Sequence, residues 1–427
     1  MRFIVHIDMN SFFASVEQQV NPWLRGKAIG VGGRPGARSI IAAASREAKG
    51  RGIATAMGVA EARAVCPDLI LVTGDNRRYH AVSRQIMTAL LSITPDIEVF
   101  SVDECFADLT SLAGSWQEAV DLAVEMKRQI RQRVGEYLSC SIGLSTNRFL
   151  AKLGSDTLKP NGLHVITPTG QESLTVPLTG PGRANLQLES VDDLLERVEL
   201  IEFCGLGPRL NQHLARLGIR TTFELRQADP NLLKRIFGYV VGQRLWEWSW
   251  GLDGRSLTRH FEPRPPQSIT RSITLPPALD RPQDGRAYLF DLAEQVGREL
   301  RRQKLAARRL TVWIGYTDRH GWGGHRLLAR PIDAGEEIYR QALSIWQGVG
   351  FRPIRLVGVG VNLLCSAVDQ TVSWLPEDQQ RLAVCQAQDA VSERFGARSV
   401  HRATWLTIAG RQTEAAHAFG FRYQEGD

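Results

Sequence analysis

The chain has 427 residues, of which 43% are hydrophobic and 23% are charged, and its formal net charge is +7. This length predicts three or four domains with ample cores, and the composition is that of an ordinary globular protein, not of a fibrous or disordered one. The six cysteines are scattered without a Cys-x-x-Cys pair, which argues against a disulfide framework and a zinc site and favours a reducing cytoplasm.

The positive charge is concentrated in the second half of the chain. Residues 201–330 hold 22 Lys and Arg against 12 Asp and Glu, whereas the remainder holds 30 against 33. Such a basic excess predicts a polyanionic partner such as nucleic acid. His6 and Asp8 interrupt the apolar N-terminus, and no run approaches the roughly 18 apolar residues of a membrane span, so neither a signal peptide nor membrane insertion is expected.

The first predicted strand, residues 3–8, ends at Asp8, and a short helix over 11–19 follows it. Residues 97–109 alternate like two strands that meet at a tight turn, and Asp103 and Glu104 lie on this turn. Adjacent carboxylates raise each other's pKa unless a cation lies between them. If the strands are neighbours, the three acids converge and can hold two divalent ions about 3.5 to 4 Å apart. In the alternative, Asp8 caps the helix that begins near Asn10, and the other two acids are solvated turn residues.

Small side chains dominate residues 24–74, so a surface formed by this region would not crowd a molecule bound against it. Helices are predicted over 78–92, 116–134 and 147–156, and a strand over 138–145. This alternation predicts an α+β layer around one antiparallel sheet that carries the acids. In the turn that follows, Lys159 is free to direct its charge at a phosphate.

The middle of the chain predicts a linker and then a helical region. Residues 167–197 are rich in Pro, Gly, Thr and Ser, and Gly205-Leu206-Gly207 stands before a helix. A hairpin of this kind presents backbone N–H groups to a phosphate without reading its base, so Gly205 and Gly207 are predicted DNA contacts. Further helix is predicted to residue 250, and the Arg- and Pro-rich residues 251–267 form a second linker.

The last predicted domain, residues 268–364, has the element order βαββαβ of a ferredoxin-like domain. Four arginines cluster where its first helix meets its second strand and are predicted to contact DNA: Arg301, Arg302, Arg308 and Arg309. The tail 365–427 contains another predicted helix near residues 379–395 and ends in a polar stretch.

Five motifs together resemble the Y-family DNA polymerases, and most closely their DinB, or polymerase IV, branch. They are HIDMNSFFASVE, SVDECFADLT, SIGLSTNRFLAKLGSDTLKPNG, CGLGPRL, and RLVGVGV with VSERFGARSVHRAT in the tail. The resemblance covers nearly the whole chain and implies a multidomain, right-hand α+β fold. Its domains would be a ferredoxin-like palm (1–10 and 75–166), small fingers (11–74), a helical helix-hairpin-helix thumb (167–250), and a βαββαβ little finger (268–364) after the linker.

The resemblance also implies roles for individual residues. Asp8, Asp103 and Glu104 match the catalytic metal ligands, with the Met9 carbonyl as a further ligand of two Mg²⁺ ions, for which Mn²⁺ is an alternative. The nucleotide site would be formed by Phe12, by Phe13 as the steric gate against a ribose 2′-OH, and by Arg46, Lys49 and Lys159. The fingers depart from the family pattern, because Ala43, Arg46 and Lys49 stand where Thr, Tyr and Arg are usual. Asn10 replaces a common Asp.

The implied activity is low-fidelity, template-directed DNA synthesis without proofreading, which serves damage tolerance. Its substrates would be primer-template DNA and a dNTP, and the chain would act as a cytoplasmic monomer. The segment Gln370 to Leu375, or the tail, is a predicted sliding-clamp contact. Two alternatives stay open: a non-catalytic, DNA-binding adaptor in a damage-response complex, and a nucleotidyl cyclase built on a similar palm.

Overall fold

The computed structural model describes residues 1–32, 39–176, 185–259, 265–279, 282–347, 350, 352–367, 375–396 and 399–400. The chain forms two compact units, the first of which contains residues 1–32 and 40–259, and the second the described residues from 265 onward. The predicted clamp segment lies outside the described residues except for Leu375, and the polar tail beyond residue 400 lies outside them entirely.

The first unit combines nine strands with eleven helices among its described residues. The strands are β1 (Ile4–Met9), β2 (Ile29–Gly32), β3 (Ile41–Ala44), β4 (Ile70–Thr73), β5 (Ile97–Val99), β6 (Glu104–Asp108), β7 (Cys140–Ser145), β8 (Gly162–Thr167) and β9 (Asn185–Ser190). The helices are α1 (Phe12–Val20), α2 (Arg46–Lys49), α3 (Val59–Val65), α4 (Asn76–Leu91), α5 (Trp116–Arg133), α6 (Arg148–Thr157), α7 (Val191–Arg197), α8 (Pro208–Arg216), α9 (Thr222–Gln227), α10 (Pro230–Phe237) and α11 (Tyr239–Ser249).

The central sheet of this unit has the strand order β5-β6-β1-β7-β8-β9. Strand β1 is antiparallel to both β6 and β7, and all six of its residues are buried. Strands β7, β8 and β9 are mutually parallel, so the expectation of a purely antiparallel sheet was wrong for this half. Helix α6 crosses over between β7 and β8, and a crossover of this kind allows parallel pairing. The structure also places β9 and α7 inside the stretch 167–197 that composition predicted to be a linker.

The two faces of the central sheet pack against different helices. Val5 and Ile7 belong to a core shared with α4 and α5, whereas Ile4 packs against Ala151 of α6 on the opposite face. Helix α6 approaches closely because Gly143 lacks a Cβ, which would lie 1.9 Å from the Ala151 carbonyl oxygen. Since side chains alternate along a strand, Asp8 lies on the same face as Ile4, beside α6.

Two smaller bodies complete the first unit. A three-stranded sheet with the order β3-β2-β4 packs on α2 and α3 around a core of small residues such as Ala44, Ala48 and Ala62. Helices α7 to α11 enclose a separate core in which Phe149 of α6 stacks on Trp248 of α11. In the described part of the chain, no helix combines the length and apolar character that a bilayer crossing requires.

The second unit contains β10 (Ser268–Leu279), α12 (Pro282–Arg302), β11 (Leu305–Tyr316), β12 (Gly321–Ile332), α13 (Gly335–Trp346), β13 (Ile354–Ser366) and α14 (Pro376–Phe395). Its sheet has the order β10-β13-β11-β12 with antiparallel neighbours. Strands β10 and β11 are therefore parallel with β13 between them, and β12 and β13 are parallel with β11 between them. The predicted βαββαβ unit is confirmed, as two interleaved split βαβ motifs.

Candidate active site

The three predicted acids lie together at one end of the central sheet. Asp8 of β1 is paired in register with Glu104, the first residue of β6. The backbone N–H of Met9 donates a hydrogen bond of 3.0 Å to the carbonyl oxygen of Asp103, which fixes the turn against β1. The carboxyl groups of Asp8 and Glu104 interact directly, and Asp103 is close enough to Asp8 to be affected by its charge.

The alternative in which Asp8 caps the helix that follows it does not match the structure. The N-cap of α1 is Ser11, whose φ of 50° lies in the left-handed region and whose side chain makes no capping bond. Asp8 is 8% exposed and points its carboxylate at Lys159 instead of at the helix. A strained, non-glycine residue directly after such a strand is typical of functional sites.

Two lysines neutralise part of this acidic cluster. The Nζ atom of Lys152 lies 2.6 Å from Oε1 of Glu104, and that of Lys159 lies 2.8 Å from Oδ2 of Asp8 and 2.9 Å from Oδ1 of Asp156. Asp103 instead accepts a hydrogen bond from the Ser101 hydroxyl at 2.8 Å. As the side chains stand, no three His, Cys, Asp or Glu residues in the described ranges converge tightly enough to hold a metal ion.

Burial determines the electrostatics of the cluster. Desolvation raises the pKa of Asp8 to about 6, although Lys159 opposes the shift and Glu104 adds to it. Desolvation also raises the pKa of Asp103. Carboxylates whose charged form is destabilised in this way gain from a nearby divalent cation, which prefers oxygen ligands. The donor set therefore fits a hard metal ion once the two lysines turn away.

Asn10 joins this end of β1 to the turn that carries Lys159. Its Oδ1 accepts hydrogen bonds from the backbone N–H of Asn161 at 2.8 Å and from the Ser139 hydroxyl at 3.2 Å, and its Nδ2 donates to the Ser141 hydroxyl at 3.0 Å. An amide both donates and accepts, and a carboxylate here would lose the bond to Ser141 unless that hydroxyl reversed. Sequence reasoning missed both this role and that of Lys152, although Lys152 precedes Asp156 by one turn of α6, a spacing at which the two side chains can meet.

The two predicted phenylalanines begin α1, immediately beyond the acids. Phe12 and Phe13 are both buried, and the ring of Phe13 stacks on Tyr79 with centroids 4.4 Å apart and planes 18° apart. The Tyr79 hydroxyl donates a hydrogen bond of 2.8 Å to Glu17, which fixes the ring of Tyr79. Phe13 therefore has a defined position close to the acidic cluster.

The predicted fingers cations differ in their relation to the cluster. Lys49 ends α2 close enough to the cluster for its charge to interact with both Lys159 and Asp8, and burial lowers its pKa. Arg46 is exposed at the start of the same helix, and Ala43 is half-buried on β3. Both residues are exposed, but the charge of Lys49 interacts with the cluster.

The predicted phosphate hairpin is exposed at Gly205 and Gly207. Gly205 has a φ of +101°, which side-chain-bearing residues rarely adopt, and Gly207 is the N-cap of α8. Pro208 follows at the first helical position. The positive φ accounts for Gly205, whereas the φ of −75° at Gly207 suits any residue. The contact of both glycines with DNA stays a prediction.

The four arginines of the second unit are in different environments. Arg301 forms a two-pronged ion pair with Asp389 of α14 at 2.7 and 2.9 Å, and Arg302 pairs with Glu299. Arg308 is exposed on β11. Arg309 is half-buried, and its Nε has no hydrogen-bond partner within the described residues. Their contact with DNA also stays a prediction.

The sequence and the fold match known proteins. Residues 7–156 match the model of the impB/mucB/samB family, and residues 266–373 match its C-terminal domain. A DNA polymerase IV of Alkalilimnicola ehrlichii is 32% identical over 385 residues, which is 90% of this chain and 99% of the relative. One of Moorella thermoacetica is 32% identical over 95% of this chain and 97% of the relative. A solved Y-family DNA polymerase chimera shares the fold with a TM-score of 0.71 at 24% identity, over 85% of this chain and 99% of its own.

Proposed function

Because the chain belongs to the Y-family DNA polymerases, in their DNA polymerase IV branch, we propose that Asp8, Asp103 and Glu104 hold the metal ions its reaction requires. The resemblance that the motifs indicated is confirmed. The activity is template-directed DNA synthesis of the translesion type, the enzymes of this family depend on a divalent metal, and the substrates are primer-template DNA and nucleotides.

The proposed cofactor is a pair of Mg²⁺ ions, with Mn²⁺ as an alternative, held by the three carboxylates and the Met9 carbonyl. Ions held by these residues would supply the charge needed to activate the primer 3′-OH and to neutralise the triphosphate for in-line attack on the α-phosphate. The clustering of three carboxylates, of which Asp8 is buried and Asp103 and Glu104 are half-buried, supports this site most directly.

Lys159 and Lys49 are the proposed contacts of the triphosphate. Lys159 pairs with Asp8 at 2.8 Å and would be displaced from it when a divalent cation binds. Because Lys159 remains anchored near Asp156, its ammonium group stays beside the cluster and can pair with a triphosphate oxygen. Arg46 and Lys49 would supply positive charge from α2, whereas the hydroxyl contacts usual in this family at the positions of Ala43 and Arg46 are lost.

Phe13 is the proposed steric gate. Its ring is fixed against Tyr79 and lies at the start of the helix that follows Asp8 and Met9. A bulky ring at this point would contact C2′ of an incoming nucleotide and exclude a 2′-hydroxyl group, and Phe12 would line the same nucleotide site.

The remaining assignments follow the family pattern. We propose that residues 1–10 and 75–166 act as the palm, 11–74 as the fingers, 167–250 as the thumb and 268–364 as the little finger. The thumb would contact the DNA backbone at Gly205 and Gly207. The enzyme would act as a cytoplasmic monomer, recruited by a sliding clamp through Gln370 to Leu375 or the tail.

Primer extension tests the proposed metal site. Asp103→Ala should lower the rate of dNTP incorporation by about 10³-fold or more, since removal of a metal ligand takes away several kcal/mol of transition-state stabilisation. Asp121→Ala, on the exposed face of α5, is the matched control and should retain full activity. If the wild type bound primer-template DNA without extending it under Mg²⁺ or Mn²⁺, the adaptor alternative would replace this proposal.

A further inference from the structure

Two loops of the first unit meet at Tyr137, which belongs to the loop between α5 and β7. Its hydroxyl accepts a hydrogen bond of 3.1 Å from the backbone N–H of Gly26, in the loop between α1 and β2. Its ring lies 5.0 Å from the Arg25 guanidinium in a cation–π arrangement, and its backbone N–H donates 2.8 Å to Oε1 of Gln19. We call the contacts of the Tyr137 side chain with Arg25 and Gly26 the clasp.

The loop between α1 and β2 is also tied to α2. The carbonyl oxygen of Lys27 accepts a hydrogen bond of 3.1 Å from the Ser45 hydroxyl, which at the same time caps α2. The side-chain amide of Gln18 donates to that carbonyl at 3.4 Å and to Oε2 of Glu47 in α2 at 3.2 Å. Ser45 and Gln18 are both buried. A shift of this loop would therefore move α2, which ends at Lys49.

The loop between α5 and β7 is tied to the end of β1. Two residues after Tyr137, the carbonyl oxygen of Ser139 accepts a hydrogen bond of 2.8 Å from the backbone N–H of Asn10. The Ser139 hydroxyl in turn donates to Oδ1 of Asn10 at 3.2 Å, and the intervening Leu138 is buried. The clasp therefore joins the part of the sheet that carries Asp8 to the loop that holds α2.

We propose that Tyr137 is a positioning residue for nucleotide binding, because its clasp holds α2, and with it the charge of Lys49, in place beside Asp8. This inference rests on the proposed function, in which Lys49 contributes to binding the triphosphate. The charge of Lys49 already interacts with those of Asp8 and Lys159. A cation that is in place before the nucleotide arrives loses no binding free energy to its own ordering, so a broken clasp would weaken nucleotide binding.

Steady-state single-nucleotide insertion by the full-length protein tests this role. Tyr137→Ala removes both the hydroxyl group and the ring and should raise KM for the dNTP about five- to tenfold. It should change kcat by less than about twofold, because the carboxylates and the saturated complex stay the same. Tyr137→Phe keeps the ring, and water can replace the hydroxyl group at the exposed Gly26, so KM should rise by about twofold at most.

Hydrogen exchange, followed by mass spectrometry without nucleotide or metal, reports the clasp itself. In Tyr137→Ala, residues 21–28 and 46–49 should exchange faster than in the wild type, because local opening needs less free energy. Residues 140–145, which form β7, should exchange as in the wild type. Unchanged exchange in residues 21–28 and 46–49 would overturn the proposal, whether or not the protein is active.

Arg51→Ala is the matched control for Arg25→Ala. Arg51 pairs with Asp68 at 2.6 Å, and both belong to residues 24–74, so this pair does not bridge to the loop of Tyr137. Arg25 stacks on Tyr137. Arg25→Ala should therefore raise KM for the dNTP about threefold, the equivalent of one exposed cation–π contact, whereas Arg51→Ala should leave it unchanged. Equal effects of the two substitutions would contradict the proposal.

A double variant separates positioning from a general loss of stability. Because Tyr137 acts through α2, Tyr137→Ala should raise KM by a smaller factor in a Lys49→Ala protein than in the wild type. Fully additive effects, or an unchanged KM in a folded Tyr137→Ala protein when the wild type extends primers, would overturn this inference alone. A wild type that extends no primer would overturn the proposed function and this inference with it.

Discussion

Burial destabilises the charged form of Asp8, which nevertheless predominates at neutral pH. Its folded-state pKa of about 6 lies above the ordinary value of 3.8, so between these pH values the folded protein binds the proton more tightly than the unfolded chain. The free energy of unfolding of the metal-free protein should therefore fall as pH rises from about 4 to 6. A bound divalent cation would oppose this loss.

Asp8→Asn removes this penalty. In EDTA at pH 7.5 the variant should be more stable than the wild type by up to about 3 kcal/mol. This is the free energy that corresponds to raising the pKa of Asp8 from 3.8 to about 6. The difference should shrink as the pH is lowered towards 4. Urea unfolding at several pH values measures it, with Asp121→Asn as an exposed control. A variant less stable than the wild type at pH 7.5 would show that the pair with Lys159 outweighs desolvation.

Phe13→Ala should admit ribonucleotides. Loss of the ring opens space beside C2′, and discrimination between dNTP and rNTP should fall by about 100-fold, the upper range for a steric pocket. Tyr79→Phe keeps the stacked ring and removes only the hydroxyl that bonds Glu17, so it should retain sugar selectivity. Single-nucleotide insertion with both sugars measures the ratio. Unchanged selectivity in Phe13→Ala would place the gate at another residue.

At the scale of residues the sequence predicted that Asp8, Asp103 and Glu104 lie together, because acids at adjacent strand ends form an unusual pattern, and the structure brings them together. Their role as metal ligands stays a prediction. It did not predict that Lys152 and Lys159 pair with them. A long side chain reaches several positions, and which one it occupies depends on how α6 packs against β1 and β7. The same holds for Asn10, whose partners come from residues 139, 141 and 161.

Among the elements, helix α5 is joined to the sheet by a buried lysine. Lys127 is 5% exposed, and its Nζ donates to the carbonyl oxygens of Cys140 and, at 3.1 Å, Gly162. These residues begin β7 and β8, next to the turn that carries Lys159. Burial lowers the pKa of this lysine, yet its ammonium group satisfies two carbonyl groups at the end of the sheet.

Lys127→Met keeps the length of the side chain and removes the donors. The two carbonyl groups then lose their partner, which should lower the free energy of unfolding by about 2 to 4 kcal/mol. Urea unfolding of the full-length protein measures this, and Arg131→Met on the exposed face of α5 should be nearly neutral. If Lys127→Met matched the wild type, desolvation of the ammonium group would cancel its hydrogen bonds.

Element types were predicted better than their arrangement. The helices over 78–92 and 116–134 and the second unit's βαββαβ order follow from hydrophobic periodicity, and the structure contains all of them. Periodicity does not report strand direction, however, which is why the sheet was expected to be antiparallel, and strand β8 after the turn of Lys159 was not predicted at all. Strand β9 was missed because its Leu186 and Leu188 are only half-buried, a weak signal within a stretch otherwise rich in Pro, Gly, Thr and Ser.

The charge of the whole molecule is uneven along the chain, with an excess of ten cations over acids in residues 201–330. The structure shows that these cations are not equivalent. Arg301 is neutralised by Asp389, and its side chain is 11% exposed, whereas Arg308 is exposed on β11. A count of charges from sequence therefore overestimates how many of them are available to a phosphate backbone.

DNA affinity should accordingly depend steeply on salt, and Arg308 should contribute more than Arg301 to this salt dependence. Removing one cation that binds a phosphate reduces the slope of log affinity against log salt concentration by about 0.9, because fewer counterions are released. Arg308→Ala should reduce the slope by about this amount, and Arg301→Ala should change it little. Fluorescence anisotropy of a primed template between about 50 and 200 mM salt measures both. Equal slope changes would mean that Asp389 releases Arg301 when DNA binds, and a flat salt response in the wild type would contradict a phosphate-binding role for the basic segment.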